Sequence, residues 1–173
     1  MTQLLATSLP LSRSPHRGAH PQVVPTFFAA GEEGGLEAAL VALCERIESL
    51  VREGCGCVIL SDRCDALDAA RVPIPALLAV GAVHHHLIRT GLRSDTSLVA
   101  ETAQCFSTHH VALLVGYGAH AVCPYLAFET CRQWRAAPRT ANLIRNGKLG
   151  DISSEAAQKN YKKALEKGAR GSG

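Results

Sequence analysis

The chain has 173 residues, 47% of them hydrophobic and 19% charged, which allows one domain with a real core and leaves no room for two comfortable ones. A formal net charge of +3 is weak, and an aromatic fraction of 5% argues against a protein that stacks nucleic-acid bases. No stretch is long and apolar enough to span a membrane: prolines break the start of the run 72–87 and histidines its end. The seven cysteines (44, 55, 57, 64, 105, 123 and 131) form no regular framework and no CxxC, so reduced thiols are expected rather than a disulfide scaffold.

Residues 1–35 read as an irregular leader. They are rich in Pro, Gly and Ser, and Pro10, Pro15, Pro21 and Pro25 spoil any amphipathic helix. From Leu36 the pattern changes: Leu36, Leu40, Leu43, Ile47, Leu50 and Val51 recur at helical spacing, and Gly54 supplies the stop. The apolar run 57–60 follows, bounded by glycine and by Ser61-Asp62-Arg63, as a buried parallel strand would be. Pro73 and Pro75 introduce a second helix, with Pro75 in its first turn and Leu77, Val80, Val83, Leu87 and Ile88 on its apolar face.

Residues 96–101 read as a second strand, and Ser107 or Thr108 as the cap of a helix through Val115, with strand as the alternative there because the segment is apolar all round. A third strand at 120–123 precedes a helix opened by Pro124 and carrying Phe128, Cys131 and Trp134. Residues 137–173 then turn polar and end in a helix over 153–167. Its lysines (159, 162, 163 and 167) fit a solvated helix face better than a nucleic-acid patch. Buried strands alternating with crossover helices predict an α/β fold: a short parallel sheet of strand–helix units, too few to close a barrel.

His84, His85 and His86 stand in a row, with His109 and His110 further on. Successive residues on a helix point about 100° apart, so three in a row cannot converge on one ion. Positions four beyond His84 and His85 are Ile88 and Arg89, and no carboxylate lies within a turn. Hydrogen-bonded or surface imidazoles are the expectation, and no metal. Ligands of α/β folds collect at the carboxyl ends of strands, where Ser61-Asp62-Arg63, Glu101-Thr102 and Pro124-Tyr125 fall. Asp62 and Arg63 could hold an anion there. The favoured expectation is structural, with Asp62 capping a turn and Arg63 paired with Glu101.

VILSDR (58–63), PIPALLAVGAVHHHLIRTGLR (73–93), SLVAET (97–102), HHVALLVGYGAHAVCPYLAFE (109–129) and KNYKKALEKG (159–168), in this order, resemble the central domain of the glutamate synthase large subunit. The resemblance implies an enzyme that converts glutamine and 2-oxoglutarate into glutamate with FMN and an iron–sulfur cluster. Its central domain is α/β, is similar to an incomplete barrel, and joins a glutaminase domain to a flavin barrel beside an ammonia path. On this reading residues 36–136 are part of that domain, and the flavin barrel and glutaminase domain are the partners.

The family's reactive groups do not transfer. Its glutaminase nucleophile is an N-terminal cysteine, whereas this chain begins Met1-Thr2. Its cluster ligands follow C-x5-C-x4-C, whereas six residues separate Cys57 from Cys64 and seven separate Cys123 from Cys131. After KNYKKALEKG the family continues towards its barrel, and this chain departs into Ala169 and four further residues. The expectation is a fragment from a truncated or frameshifted gene, inactive alone, with no catalytic, cofactor or metal residue of its own. Ser61, Asp62, Arg63, His84, His85, Glu101 and Tyr125 are then expected to form a structural or inter-domain cluster. A cytoplasmic location is expected, or a plastid one if the leader is a transit peptide. Competing readings are a stand-alone metal- or ligand-binding α/β module and a docking partner of a complete synthase.

Overall fold

The computed structural model of the protein describes residues 5–6, 20–31, 33–64 and 69–169. Most of the leader, with Pro10 and Pro15, lies outside the described residues, as does the end of the tail. A two-residue strand, β1 (Leu5–Ala6), precedes β2 (Gln22–Pro25) and β3 (Phe27–Ala29). Residues 22–25 and 27–29 are therefore strand where irregular chain is expected. Pro21 and Pro25 read as breakers, but a proline on an edge strand can turn its missing N–H to solvent and sacrifice no ladder bond.

The first helix, α1 (Gly35–Arg52), buries Leu43, Cys44, Ile47, Leu50 and Val51, and Gly54 follows it with φ 95°. Next come β4 (Cys57–Ser61), β5 (Arg71–Pro73) and α2 (Ala76–Arg89). Strand β5 pairs antiparallel with β3, Phe28 opposite Val72, a small sheet that three residues ending in a proline do not announce. Pro75 is the N-cap of α2 rather than a member of its first turn. Val80, Val83 and Leu87 are buried as the periodicity requires, but Ile88 is 51% exposed and looks outward. A short 3-10 turn (Arg93–Asp95) leads to β6 (Ser97–Glu101). Segment α3 (Thr108–Gly116) is a helix and not the alternative strand. Ser107 Oγ accepts from the His110 N–H at 3.3 Å, which satisfies a donor that only a helix start leaves orphaned.

Strand β7 (Ala121–Cys123), α4 (Tyr125–Ala136), α5 (Pro138–Arg145) and α6 (Ser154–Ala169) complete the chain. Helix α5 falls in the stretch expected to be linker: Pro138 opens it and Thr140 is its buried residue. Helix α6 packs back on the body. Tyr161 meets Phe128 edge-on at 5.9 Å and donates its hydroxyl to the Phe106 carbonyl at 2.8 Å, and Leu165 is buried.

The main sheet has the order β1-β7-β6-β4-β2, with β2, β4, β6 and β7 parallel and β1 antiparallel to β7. Parallel strands that follow one another in both sequence and space, through right-handed crossovers, place their helices on a single face. The core agrees: Val24, Val58, Leu60, Leu98, Ala100 and Val122 join Ile47, Val83, Leu87 and Leu114 in one cluster. The alternate row, Val23–Ile59–Val99–Ala121, faces the other way. This is an open slice of barrel geometry. Its strand ends define two polar clusters.

Candidate functional site

At the carboxyl ends of β4, β6 and β7 the structure gathers Ser61, Asp62, Arg63, Glu101 and Tyr125. Asp62 is 5% exposed, and both its carboxylate oxygens are occupied. Oδ2 accepts from Thr102 Oγ1 at 2.6 Å and Gln104 Nε2 at 3.2 Å, and Oδ1 from the Ala103 N–H at 2.8 Å. A carboxylate leaves water at acceptable cost only when its lone pairs find such donors. Gln104 then ties the network to α2: Nε2 also reaches the Ile74 carbonyl at 3.2 Å, and Oε1 accepts from the Ala76 N–H at 3.0 Å. The buried carboxylate and Gln104 thus fasten two consecutive strand–helix junctions, those after β4 and β6.

Ser61 donates to Glu101 Oε2 at 2.7 Å, and Arg63 lies 3.7 Å from Glu101 Oε1. The Arg63 guanidinium also sits 5.4 Å above the Tyr125 ring, while the Tyr125 hydroxyl donates weakly to the Asp62 carbonyl at 3.4 Å. Burial first, and the Asp62 charge second, push the Tyr125 phenol well above its ordinary range. Burial, with Glu101 adding to it, pushes the Cys123 thiol up to about 11. Both groups therefore stay protonated at neutral pH, and neither is an activated nucleophile or base. Thr102 and Gln104 supply the side-chain donors to Asp62; sequence reasoning places Thr102 at a strand end without giving it this role, and misses Gln104. The only advance signal for Gln104 is that it follows a strand end.

His84 and His85 are not part of this cluster. They sit on α2, and His84 belongs to the opposite end of the sheet, where the chain enters β6 and β7. Arg93 is the centre there. Its guanidinium donates to His84 Nδ1 at 2.8 Å, the Thr96 carbonyl at 2.9 Å, the Gly118 carbonyl at 2.7 Å and His120 Nδ1 at 3.1 Å. An accepting Nδ1 fixes His84 as the neutral tautomer with its proton on Nε2. Burial first and Arg93 second hold the pKa values of both His84 and His120 below the ordinary histidine value. Gly118, at φ 114°, is required here, because a Cβ would overlap the His84 ring.

His85 is exposed and lines an apolar groove of about 540 Å3 between α1 and α2, with Leu40, Val41, Leu78 and Tyr117. His86 bonds across that helix pair to Glu48 Oε2 at 2.6 Å, so its carboxylate comes from a neighbouring helix and not from its own turn. Among the described residues no group of three or more His, Cys, Asp or Glu side chains is placed to hold a metal ion. All seven cysteines are free and dispersed. The donor set does not fit an iron–sulfur cluster, and no helix among the described residues is long and apolar enough to cross a membrane.

In both polar clusters the central charge, Asp62 or Arg93, is met by hydrogen bonds from within the chain. The family model for the glutamate synthase central domain matches residues 3–170. The chain belongs to this family. It is 55% identical over 149 residues to ferredoxin-dependent glutamate synthase 2, chloroplastic, of Arabidopsis thaliana, which covers 85% of the chain and 9% of that protein. The chloroplastic ferredoxin-dependent glutamate synthase of Oryza sativa subsp. japonica is 53% identical over 150 residues, and ferredoxin-dependent glutamate synthase 2 of Synechocystis sp. 48% over 147. These cover 86% and 84% of the chain, and again 9% of each relative. The chain thus spans about 9% of the length of the glutamate synthases it matches, and the match includes both the expected leader and the expected linker.

Proposed function

We propose that this polypeptide acts as a scaffold segment of a glutamate synthase, holding its place between domains that carry the chemistry, and is not catalytic by itself. The observation that carries this reading is Asp62. Buried at the strand ends, it has both carboxylate oxygens engaged by the protein's own donors, Thr102, Ala103 and Gln104. A general acid or base must keep one position for substrate. In the family reaction glutamine releases ammonia, which converts 2-oxoglutarate into glutamate with FMN, an iron–sulfur cluster and ferredoxin electrons. All of that chemistry is assigned to a flavin barrel and a glutaminase domain outside this segment. The reading carries a cytoplasmic location, or a plastid one, the address in the names of the plant relatives.

Replacing the matching stretch of the Arabidopsis ferredoxin-dependent enzyme by residues 20–169 tests it. Glutamate formation from glutamine, 2-oxoglutarate and reduced ferredoxin should survive in the chimera, while the purified 173-residue chain should form none. Glutamate produced by the isolated chain would overturn the proposal, as would a folded chimera with no activity.

A further inference from the structure

We infer that the apolar groove between α1 and α2 is a self-association surface, which receives the same surface of a second copy of this chain across a two-fold axis. Self-association of this kind goes beyond the scaffold role and does not depend on it. Val41 on α1, Leu78 on α2 and Tyr117 at the end of α3 are 57%, 48% and 48% exposed, and all three line one groove of about 540 Å3. Three large side chains on one concavity make a contiguous apolar patch, unlike the single exposed residues of an ordinary surface.

The groove is also preformed. Gly81 and Ala82 keep the α2 wall low, and a Cβ at Gly81 would stand 3.1 Å from the Tyr117 ring. The hydrogen bond from His86 to Glu48 at 2.6 Å, with Arg52 on the other oxygen of that carboxylate at 2.7 Å, sets the spacing of the two helices. A partner therefore meets a fixed shape and orders little on binding.

Charge selects the occupant. Glu45 on α1 and Arg89 on α2 line opposite walls, both are exposed, and neither has an ion pair among the described residues. Burial raises the pKa of the Cys44 thiol, and Arg89 then lowers it and Glu45 raises it, so both charges lie close to this one position along the helix pair. Helices α1 and α2 run in the same direction, each returning from one parallel strand towards the next. A two-fold axis along the groove then sets α1 of each copy against α2 of the other at matching height. Glu45 meets Arg89 of the second copy, with His85 one turn earlier on the same face, and symmetry makes the pair twice. A partner of uniform charge would satisfy one wall and be repelled by the other, whereas a copy of this surface satisfies both. A helix from another synthase domain is the rival occupant, and it would leave the isolated chain monomeric.

Sedimentation velocity of the purified 173-residue chain tests this, and a dimer that dissociates on dilution is expected. Leu78→Lys should abolish the dimer with melting unchanged. Glu45→Arg and Arg89→Glu should each weaken association about tenfold or more, because each sets like charges face to face twice. Mixed in equal amounts, these two variants should associate as a heterodimer, and the double variant should recover the homodimer. Trp134→Ala, at an exposed position of α4 outside the groove, should leave association unaltered. A chain still monomeric at about 0.1 mM would overturn the inference. So would a dimer indifferent to Leu78→Lys or lost in Trp134→Ala, or charge variants that mixing does not rescue. The readout is mass and not glutamate, so failure here leaves the result of the chimera standing, and an inactive chimera leaves the dimer standing.

Discussion

The two ends of the sheet solve one problem with opposite charges. At the carboxyl ends a buried carboxylate, Asp62, is surrounded by neutral donors from Thr102, Ala103 and Gln104. At the amino ends a half-buried guanidinium, Arg93, is surrounded by neutral acceptors from His84, Thr96, Gly118 and His120. Neither end uses a direct ion pair between buried groups. Dipoles from successive strand–helix junctions converge on one charge, so each charge fixes several segments at once. The ends differ in their response to protons. The carboxylate end accepts bonds from groups that do not titrate near neutrality, whereas two of the four acceptors at the guanidinium end are imidazoles.

The most disruptive change should be Asp62→Ala, which takes the charged acceptor from the buried Thr102 hydroxyl and from the partly buried Ala103 N–H. Loss of hydrogen bonds to a charged acceptor predicts about 3 kcal/mol or more in urea unfolding. A cost below about 1 kcal/mol would show that water reaches this site and that the carboxylate is not the fastener. Next is Gly118→Ala, which adds a Cβ against the His84 ring at a backbone angle suited to glycine. It should cost about 2 kcal/mol by strain and overpacking, and a neutral result would mean the His84–Arg93 contact is dispensable.

The difference in titration sharpens the comparison further. His84 and His120 have folded pKa values below 6.5, so between those values and 6.5 the unfolded chain binds more protons than the folded one. Their contribution is fully present above 6.5 and is lost as pH falls from there through the lower folded values. Melting temperature should therefore decline on acidification from pH 7.5 to 5, and His84→Asn, which keeps an acceptor without titrating, should flatten part of that slope. An unchanged slope in the variant would remove His84 from the account. Smallest of all should be Arg63→Ala. Its guanidinium is 60% exposed and 3.7 Å from Glu101, and such pairs contribute less than about 1 kcal/mol.

The strongly periodic parts were legible from sequence. The stripe Leu43–Ile47–Leu50–Val51 and the buried runs of β4 and β6 each carry one dominant signal, and the parallel α/β order follows from their alternation. Where signals conflict, legibility fails. Strands β2, β3 and β5 are short and contain or adjoin prolines, which local chemistry reads as punctuation. Helix α5 has a proper proline start but is polar, so periodicity does not find it. At the polar clusters, Ser61, Asp62, Arg63, Glu101 and Tyr125 fall together because strand ends are predictable from strands. His84 does not join them, because its partner Arg93 is a loop residue whose reach depends on tertiary placement. Glu48, the carboxylate of His86, is likewise distant in sequence and adjacent only through helix packing.

Turnover of the Arabidopsis chimera carrying Asp62→Asn, normalised to folded enzyme, bears most directly on whether these charges serve structure alone. The account predicts a lower melting temperature with kcat within about twofold of the unsubstituted chimera, because nothing at the strand ends touches a reacting atom. A fall of about 100-fold or more in kcat with melting unchanged, the scale of a lost general acid or base, would contradict it.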